Sequence, residues 1–249
     1  MPEQNFAGRT AIIVGGASGM GLLAGQDLAK QGATVILADV NGEKVEALAA
    51  DIRANGGNAY GVKCDVRKVE DIENAVAFTR EKGGSVDIMI YTAGGFAGRI
   101  FNCPEPFQSR PYEVLDWGID VNLKGALFFC RAVIGTMIEQ KRGVMIVLGS
   151  IDGVTGSAWS VDYSAAKSGM IGMVKGLALL GAPHNVRACC VSPGPVLTRA
   201  AMANMPTPMG RAAEPQEVVD LILYLASDKA AFISGDNYLI DGARACMVR

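Results

Sequence analysis

A chain of 249 residues, half of them hydrophobic, has apolar material for one large domain, and no Pro/Gly/Ser-rich linker divides it, so a single unit over residues 1–249 is expected. A net charge of −2 offers no basic stripe to a phosphate backbone, which excludes nucleic acid as an expected partner. The lone histidine, His184, leaves almost no material for a histidine metal site or a Ser-His-Asp triad, so no metal is expected.

The first residues, Met1 to Asn5, lack the positive start of a signal peptide, and the weakly polar run from Ala11 to Gly25 is too short and too glycine-rich to span a bilayer. No membrane partner is expected. Cys64, Cys103, Cys130, Cys189, Cys190 and Cys246 form no C-x-x-C pair and read as small hydrophobes in a reducing, cytoplasmic setting. Cys246 to Arg249 has the outline of a prenylation box whose last residue does not fit.

In chain order, a strand at 10–14 runs into Gly15-Gly16-Ala17-Ser18-Gly19-Met20-Gly21 and a helix at 21–31. Glycines at such a turn let the backbone approach a pyrophosphate, which the helix N-terminus stabilises through its free amides. A second strand at 34–38 is closed by Asp39, whose carboxylate can accept from both ribose hydroxyls while repelling a 2′-phosphate. No Arg or Lys follows in Val40-Asn41-Gly42, so NAD is favoured over NADP. A helix at 43–55 leads to a strand at 59–64 ending at Asp65, which is placed either to cap the adenine pocket or to serve as a plain turn residue.

A helix at 69–82 and a strand at 88–91 precede a long helical pattern at 114–140 that contains Asn122, a poor helix former. After a strand at 144–148 comes Ser150, and thirteen residues later a helix at 163–180 opens with Tyr163-Ser164-Ala165-Ala166-Lys167. One turn places Tyr163 and Lys167 on one face, where an ammonium is expected to lower the phenol pKa from about 10 toward working pH. A tuned phenol beside a nucleotide turn points to redox chemistry at a carbonyl. Strands at 187–191 and 238–240 and a helix at 215–226, started by Pro215, complete the pattern. Strand–helix alternation of this kind predicts a doubly wound α/β sandwich, with a mostly or fully parallel seven-stranded sheet covered on both faces.

The ordered set of the glycine turn, Asp39, Asn122, Ser150, Tyr163, Lys167 and Pro193-Gly194 resembles the single-domain short-chain dehydrogenases/reductases over essentially the whole length. The resemblance implies a Rossmann-like fold binding NAD(H) and a catalytic set of Asn122, Ser150, Tyr163 and Lys167. In that set Tyr163 exchanges the proton, Ser150 holds the substrate oxygen, Lys167 also holds the nicotinamide ribose, and Asn122 distorts its helix and keeps a water in the relay. Cofactor contacts are implied at Gly15, Ser18, Gly19, Met20, Gly21, Asp39, Asp65, Val66, Ala93, Gly94, Tyr163, Lys167, Pro193, Gly194, Val196 and Thr198. Substrate contacts are implied at Gly95, Phe96, Ser150, Ile151, Gly156, Trp159, Pro195 and Met202, with Trp159 placed either to stack on a ring or to fill the core.

The chain departs from the family pattern at three sites: Val14 stands for a usual Thr, Tyr91-Thr92 for an Asn-Asn pair, and Cys189 for a frequent Asn. The substrate lid, at about 195–213, is short and rich in Ala and Met, which predicts an open apolar pocket recognising shape more than charge. The expected substrate is a bulky or cyclic apolar secondary alcohol or ketone, such as a hydroxysteroid or bile acid. A 3-oxoacyl thioester reductase is the nearest enzymatic alternative, and a non-catalytic NAD-binding scaffold protein the alternative from another class. Relatives imply a homotetramer, or a dimer, through the two long helices, with Leu127, Phe128, Met137, Met173 and Leu177 either at the interface or against the sheet.

Overall fold

The computed structural model describes residues 5–247; the readings made on residues 1–4 and on the last two residues of the tail lie outside them. Seven strands, β1 (Thr10–Val14), β2 (Thr34–Asp39), β3 (Asn58–Lys63), β4 (Ile88–Tyr91), β5 (Gly143–Leu148), β6 (Val186–Pro193) and β7 (Asn237–Ile240), form one sheet in the order β3-β2-β1-β4-β5-β6-β7. Every pairing is parallel. Among the described residues, nine α-helices accompany them: α1 (Gly19–Lys30), α2 (Gly42–Ala54), α3 (Val69–Gly83), α4 (Ala97–Ile100), α5 (Tyr112–Ile119), α6 (Gly125–Gln140), α7 (Asp152–Thr155), α8 (Val161–Gly181) and α9 (Pro215–Ala226).

The strands are apolar on both faces because both are covered. Ile13, Ile90, Ile146 and Cys189 face a core shared with α1, α2 and α9, while Val14, Met89, Met145 and Cys190 face the core under α3, α6 and α8. Cys189 and Cys190 therefore point into different layers, as alternation along a strand requires. Burial raises their thiols and pushes those of Cys64 and Cys130 up to about 12, so these four behave as core side chains.

The long apolar helix continues from α5 into α6 through a π turn, Asp120–Lys124, with Asn122 inside it. From Tyr112 to Gln140 it is long and apolar enough to cross a bilayer, but half of its most apolar stretch is buried in the fold, which accounts for that composition. Of the side chains placed at an interface or against the sheet, Met137 is wholly buried under the sheet, Leu127 is exposed, and Phe128, Met173 and Leu177 are partly buried.

Order reversal between β1 and β4 opens a crevice at the carboxyl ends of the strands, where open α/β sheets take their ligands. On the far side of the sheet the chain between β6 and α9 leaves as a closed loop. Val196 bridges Ala213, with Leu197 donating to the Ala213 carbonyl at 2.9 Å and Ala213 to that of Pro195 at 2.9 Å. Pro215 and a capping box of Glu214 and Glu217 start α9. Glu217 also takes a bidentate pair from Arg211 at 2.6 and 2.7 Å, which holds its carboxyl down at about 2 and fixes the loop's returning end to the helix.

Candidate active site

The crevice floor is built from close backbone approaches. Gly15, with φ of 88°, lies so near the next strand that a Cβ would fall 2.6 Å from the Ala93 nitrogen, and a Cβ on Gly21 would fall 2.4 Å from both the Gly15 carbonyl and Thr92 Oγ1. Any side chain at either position would force the turn off the sheet. The first amides of α1 have no partner within the helix, and Ser18 at its N-cap makes no capping bond, so these donors face the crevice. A cavity of about 350 Å³ is lined by Gly15, Ser18, Gly19, Met20, Gly21, Asp39, Asp65, Val66, Ala93, Gly94 and Thr198. Its amide-rich floor and acidic end fit a dinucleotide. Val40, Arg67, Ile100, Trp117 and Val121 also line it and were not expected from sequence, whereas Pro193, Gly194, Val196, Tyr163 and Lys167 lie outside its lining.

Asp39 is set by backbone amides: Ala17 donates to Oδ2 at 3.2 Å and Asn41 to Oδ1 at 3.1 Å. Asp65 is held by Arg67, which donates from Nε at 2.9 Å and Nη2 at 2.6 Å. That contact keeps the Asp65 carboxyl below its ordinary range and occupies Arg67, the cation in the crevice lining.

Two of the three departures explain one another. Thr92 Oγ1 donates to the Val14 carbonyl at 2.9 Å, so the hydroxyl missing at position 14 is supplied from the neighbouring strand. Tyr91, fully buried, donates to the Val121 carbonyl at 2.6 Å, inside the π turn. The altered ladder of a π turn leaves carbonyls in need of donors, and the phenol fits under Gly125, where a Cβ would fall 2.6 Å from the Tyr91 hydroxyl. Tyr91→Phe should therefore cost about 1–3 kcal/mol by orphaning a buried carbonyl. Chemical denaturation measures this, and an unchanged midpoint would show that the carbonyl needs no donor. The exchange at Cys189 simply places a small side chain in the core.

The π turn aims Asn122 at the loop after β4. Its Nδ2 donates to the carbonyls of Gly118 at 2.8 Å and Gly95 at 3.0 Å, and Oδ1 accepts from the Gly95 amide at 2.9 Å. The side chain thus clasps Gly95 in both directions. A Cβ on Gly94 would fall 2.2 Å from Oδ1, so the clasp needs glycine there.

Ser150 and Tyr163 meet because α7 docks on α8. A Cβ on Gly153 would fall 2.7 Å from the Lys167 backbone, and Ser168 Oγ donates to the Gly153 carbonyl at 2.6 Å. Ser150 stands beside the Tyr163 phenol and opposes its upward shift, and its Oγ accepts from the Asp152 amide at 3.1 Å. Ile151 donates to the Pro193 carbonyl at 2.9 Å, which ties this turn to the end of β6.

Lys167 shares the helix face with Tyr163, its Nζ 5.4 Å from the ring centroid, but donates to the Leu148 carbonyl at 2.6 Å. The expected acidification of the phenol is not produced by the protein's own groups. Burial pushes Tyr163 up to about 12, opposed first by the neighbouring Ser150 hydroxyl. Burial likewise brings Lys167 down to about 8. At neutral pH the phenol is a protonated donor held against a serine hydroxyl.

The family model for short chain dehydrogenases matches residues 9–208. The chain belongs to that family. This short-chain dehydrogenase is 35% identical to an uncharacterized oxidoreductase of Mycobacterium bovis, with 95% of the chain and 96% of the relative covered. It is 31% identical to xanthoxin dehydrogenase of Arabidopsis thaliana, over 99% of the chain and 93% of that protein. Among solved structures it resembles the citronellol catabolism dehydrogenase AtuB of Pseudomonas aeruginosa, with a TM-score of 0.88, 29% identity and 98% of each chain covered.

The expected substrate positions of the dehydrogenase divide. Gly95, Ser150 and Ile151 are brought to the site by the contacts above. Phe96 packs under the Arg110 guanidinium at 4.9 Å, and Trp159 is exposed while its carbonyl accepts from Arg110, so both serve the loop that carries Arg110. Gly156 ends α7 at φ of 74°, Pro195 belongs to the lid clamp, and Met202 accepts a weak contact from Arg199 at 3.7 Å. Sequence reasoning missed Asp152, whose carboxylate acts on the phenol, accepts from Ser160 Oγ at 3.0 Å and is raised by burial. It also missed the field of Arg99 and Arg199 on the same phenol. Short helices and loops give charged residues no periodic signal.

Proposed function

We propose that this short-chain dehydrogenase interconverts a secondary alcohol and a ketone with NAD(H). The observation that carries the reading is the Ser150 hydroxyl held against a protonated Tyr163 phenol, beside a crevice whose glycine floor fits a dinucleotide. A dinucleotide bound there supplies the hydride. Ser150 and Tyr163 hold the substrate oxygen, and Tyr163 donates its proton during reduction or accepts one during oxidation. Lys167, by family resemblance, holds the nicotinamide ribose. Asn122 fixes the Gly95 backbone beside the reacting centre, a role in this chain distinct from the water contact implied by resemblance.

Asp39 at the acidic end of the crevice, with Arg67 already occupied by Asp65, supports NAD. Asp39→Ala should lower the NAD-over-NADP ratio of kcat/KM by about tenfold or more, the equivalent of roughly one lost charge-assisted hydrogen bond. A wild-type preference for NADP would overturn the cofactor assignment and leave the reaction class standing.

For the substrate we propose a bulky or cyclic apolar body, such as a hydroxysteroid or bile acid. Ile100 lines the crevice, and Phe101, next to it in the chain, is exposed. The names xanthoxin dehydrogenase and citronellol catabolism dehydrogenase agree with an apolar alcohol or aldehyde-bearing skeleton only in general terms. The unpaired cysteines suit a cytoplasmic setting, and exposed Leu127, Leu179 and Leu180 on α6 and α8 suit a homotetramer built on these helices. A screen of neutral and acidic ketones and alcohols with both cofactors tests the whole reading. Dinucleotide binding without turnover of any of them would favour a scaffold role.

A further inference from the structure

Two guanidinium groups stand at the rim of the crevice, Arg99 next in the chain to Ile100 and Arg199 next to Thr198, both of which line it. Arg99 stands on α4 just after the clasped loop, its Nη2 3.1 Å from where a Cβ of Gly95 would be. Arg199 opens the lid beside Thr198, and its Nη2 meets only the Met202 sulfur at 3.7 Å. Both act on the Tyr163 phenol, and Arg99 acts on Arg199. Among the described residues neither arginine has a carboxylate partner, although other arginines around this end of the fold do: Arg67 pairs with Asp65, Arg110 with Asp162 and Arg211 with Glu217. The one carboxylate that reaches the phenol, Asp152, accepts from Ser160 and answers electrostatically to Arg244, whose guanidinium donates to the Pro206 carbonyl.

Two like charges that act on one phenol repel each other, and no carboxylate among the described residues pairs with either of them. An oxyanion between them relieves that repulsion and accepts the forked donors of both. We propose that the substrate carries a carboxylate and that Arg99 and Arg199 hold it, so that the preferred substrate is an apolar hydroxy or oxo acid rather than a neutral alcohol or ketone. The proposal rests on the alcohol–ketone reading above and narrows it. Arg99 comes from a fixed loop and Arg199 from the lid, so the anion also draws the lid toward the loop. The Ala- and Met-rich lid sequence, which suggested recognition by shape more than charge, carries this arginine at its edge.

The test uses acid and ester pairs with the full-length enzyme: 3-oxo-5β-cholan-24-oate, 4-oxocyclohexanecarboxylate and their methyl esters, with wild type, Arg99→Gln, Arg199→Gln and the double variant. Both side chains are exposed, so folding is not at stake. Wild type should prefer at least one acid over its ester by about tenfold or more in kcat/KM. Each Gln variant should lose about 10- to 100-fold on that acid, through KM more than kcat, while the ester changes far less. Dinucleotide Kd, read by NADH fluorescence, should stay within about threefold of wild type. An ester used as well as its acid, equal losses on both, or a loss located in the dinucleotide Kd overturns the proposal. If neutral ketones turn over without any acid preference, only this proposal falls. If neither acids, esters nor neutral ketones turn over, the alcohol–ketone reading fails and takes the proposal with it. A preference for phosphate or sulfate esters over carboxylates in the same screen would overturn the carboxylate assignment.

Discussion

Tyr163→Phe is expected to lower kcat/KM for the best substrate by about 10²- to 10⁴-fold while leaving dinucleotide affinity nearly unchanged. The phenol hydroxyl is the group positioned to exchange a proton with a substrate oxygen, and the Ser150 hydroxyl stands beside it. Removing one oxygen atom leaves the ring, its packing and the Lys167 contact to Leu148 in place, so the loss falls on chemistry rather than folding. The same phenol sets a pH signature. Burial pushes it up to about 12, so the protonated form dominates at neutral pH. Reduction, which needs the proton, should be nearly flat from about pH 6 to about pH 8, whereas oxidation, which needs the deprotonated form, should climb with pH over that range and beyond. A flat oxidation profile, or a Phe variant as fast as wild type, would refute the assignment of the proton to Tyr163.

The second large effect is on stability and lies one residue away. Asp162 and Arg110 form an ion pair at 3.1 Å with side chains 3% and 0% exposed, joining the loop before α5 to the first turn of α8. Arg110 Nη2 also donates to the carbonyls of Glu105 and Trp159 at 3.0 and 3.1 Å, so one guanidinium gathers three stretches of chain. Asp162→Ala leaves that cation buried without its counter-charge, which should destabilise the fold by about 3–5 kcal/mol in chemical denaturation. The pair is nonetheless imperfect: Arg110 Nε and Asp162 Oδ2 lack hydrogen-bond partners. A double replacement, Arg110→Met with Asp162→Leu, should therefore be less harmful than Asp162→Ala alone. Gly118 sets the limit on what fits, since a Cβ there would fall 2.7 Å from Asp162 Oδ2. If the double variant is as unstable as the sum of the singles, the two residues act independently and the pair is not the source of the effect. Because Asp162 adjoins Tyr163, the single variant should also raise KM by loosening the Arg110 loop.

Much of this architecture can be read from residue order. The short β-branched and apolar runs of the strands and the apolar faces of the helices locate all seven strands and the six long helices to within a few residues, because each layer must be covered. The glycine turn is legible for a similar reason, since only glycine tolerates the approaches at positions 15 and 21. α4 and α7 are too short to show a period, and so the charges they carry or adjoin, Arg99 and Asp152, went unseen. The expectation for Lys167 failed on a different ground. Spacing of i and i+4 fixes which helix face a residue occupies but not where a flexible four-carbon side chain ends, and the nearest free acceptor came from β5, nineteen residues earlier in sequence. Tyr91 shows the converse: a departure from the family pattern at the end of β4 becomes intelligible only once the π turn above it is seen.

The strand order also has a kinetic side. β1 is held on one flank by β2, but its other partner is β4, where Ala11 pairs with Ile88, and β3 at the sheet's edge gains no neighbour beyond β2. The middle of the sheet therefore closes only when segments more than seventy residues apart in sequence meet, a loop closure whose entropy is lost before most native contacts form. Refolding should be slow and should populate a species in which the first βαβ units are assembled while the crevice does not yet exist. Dinucleotide added during refolding will then act late, trapping finished molecules rather than guiding the chain toward them.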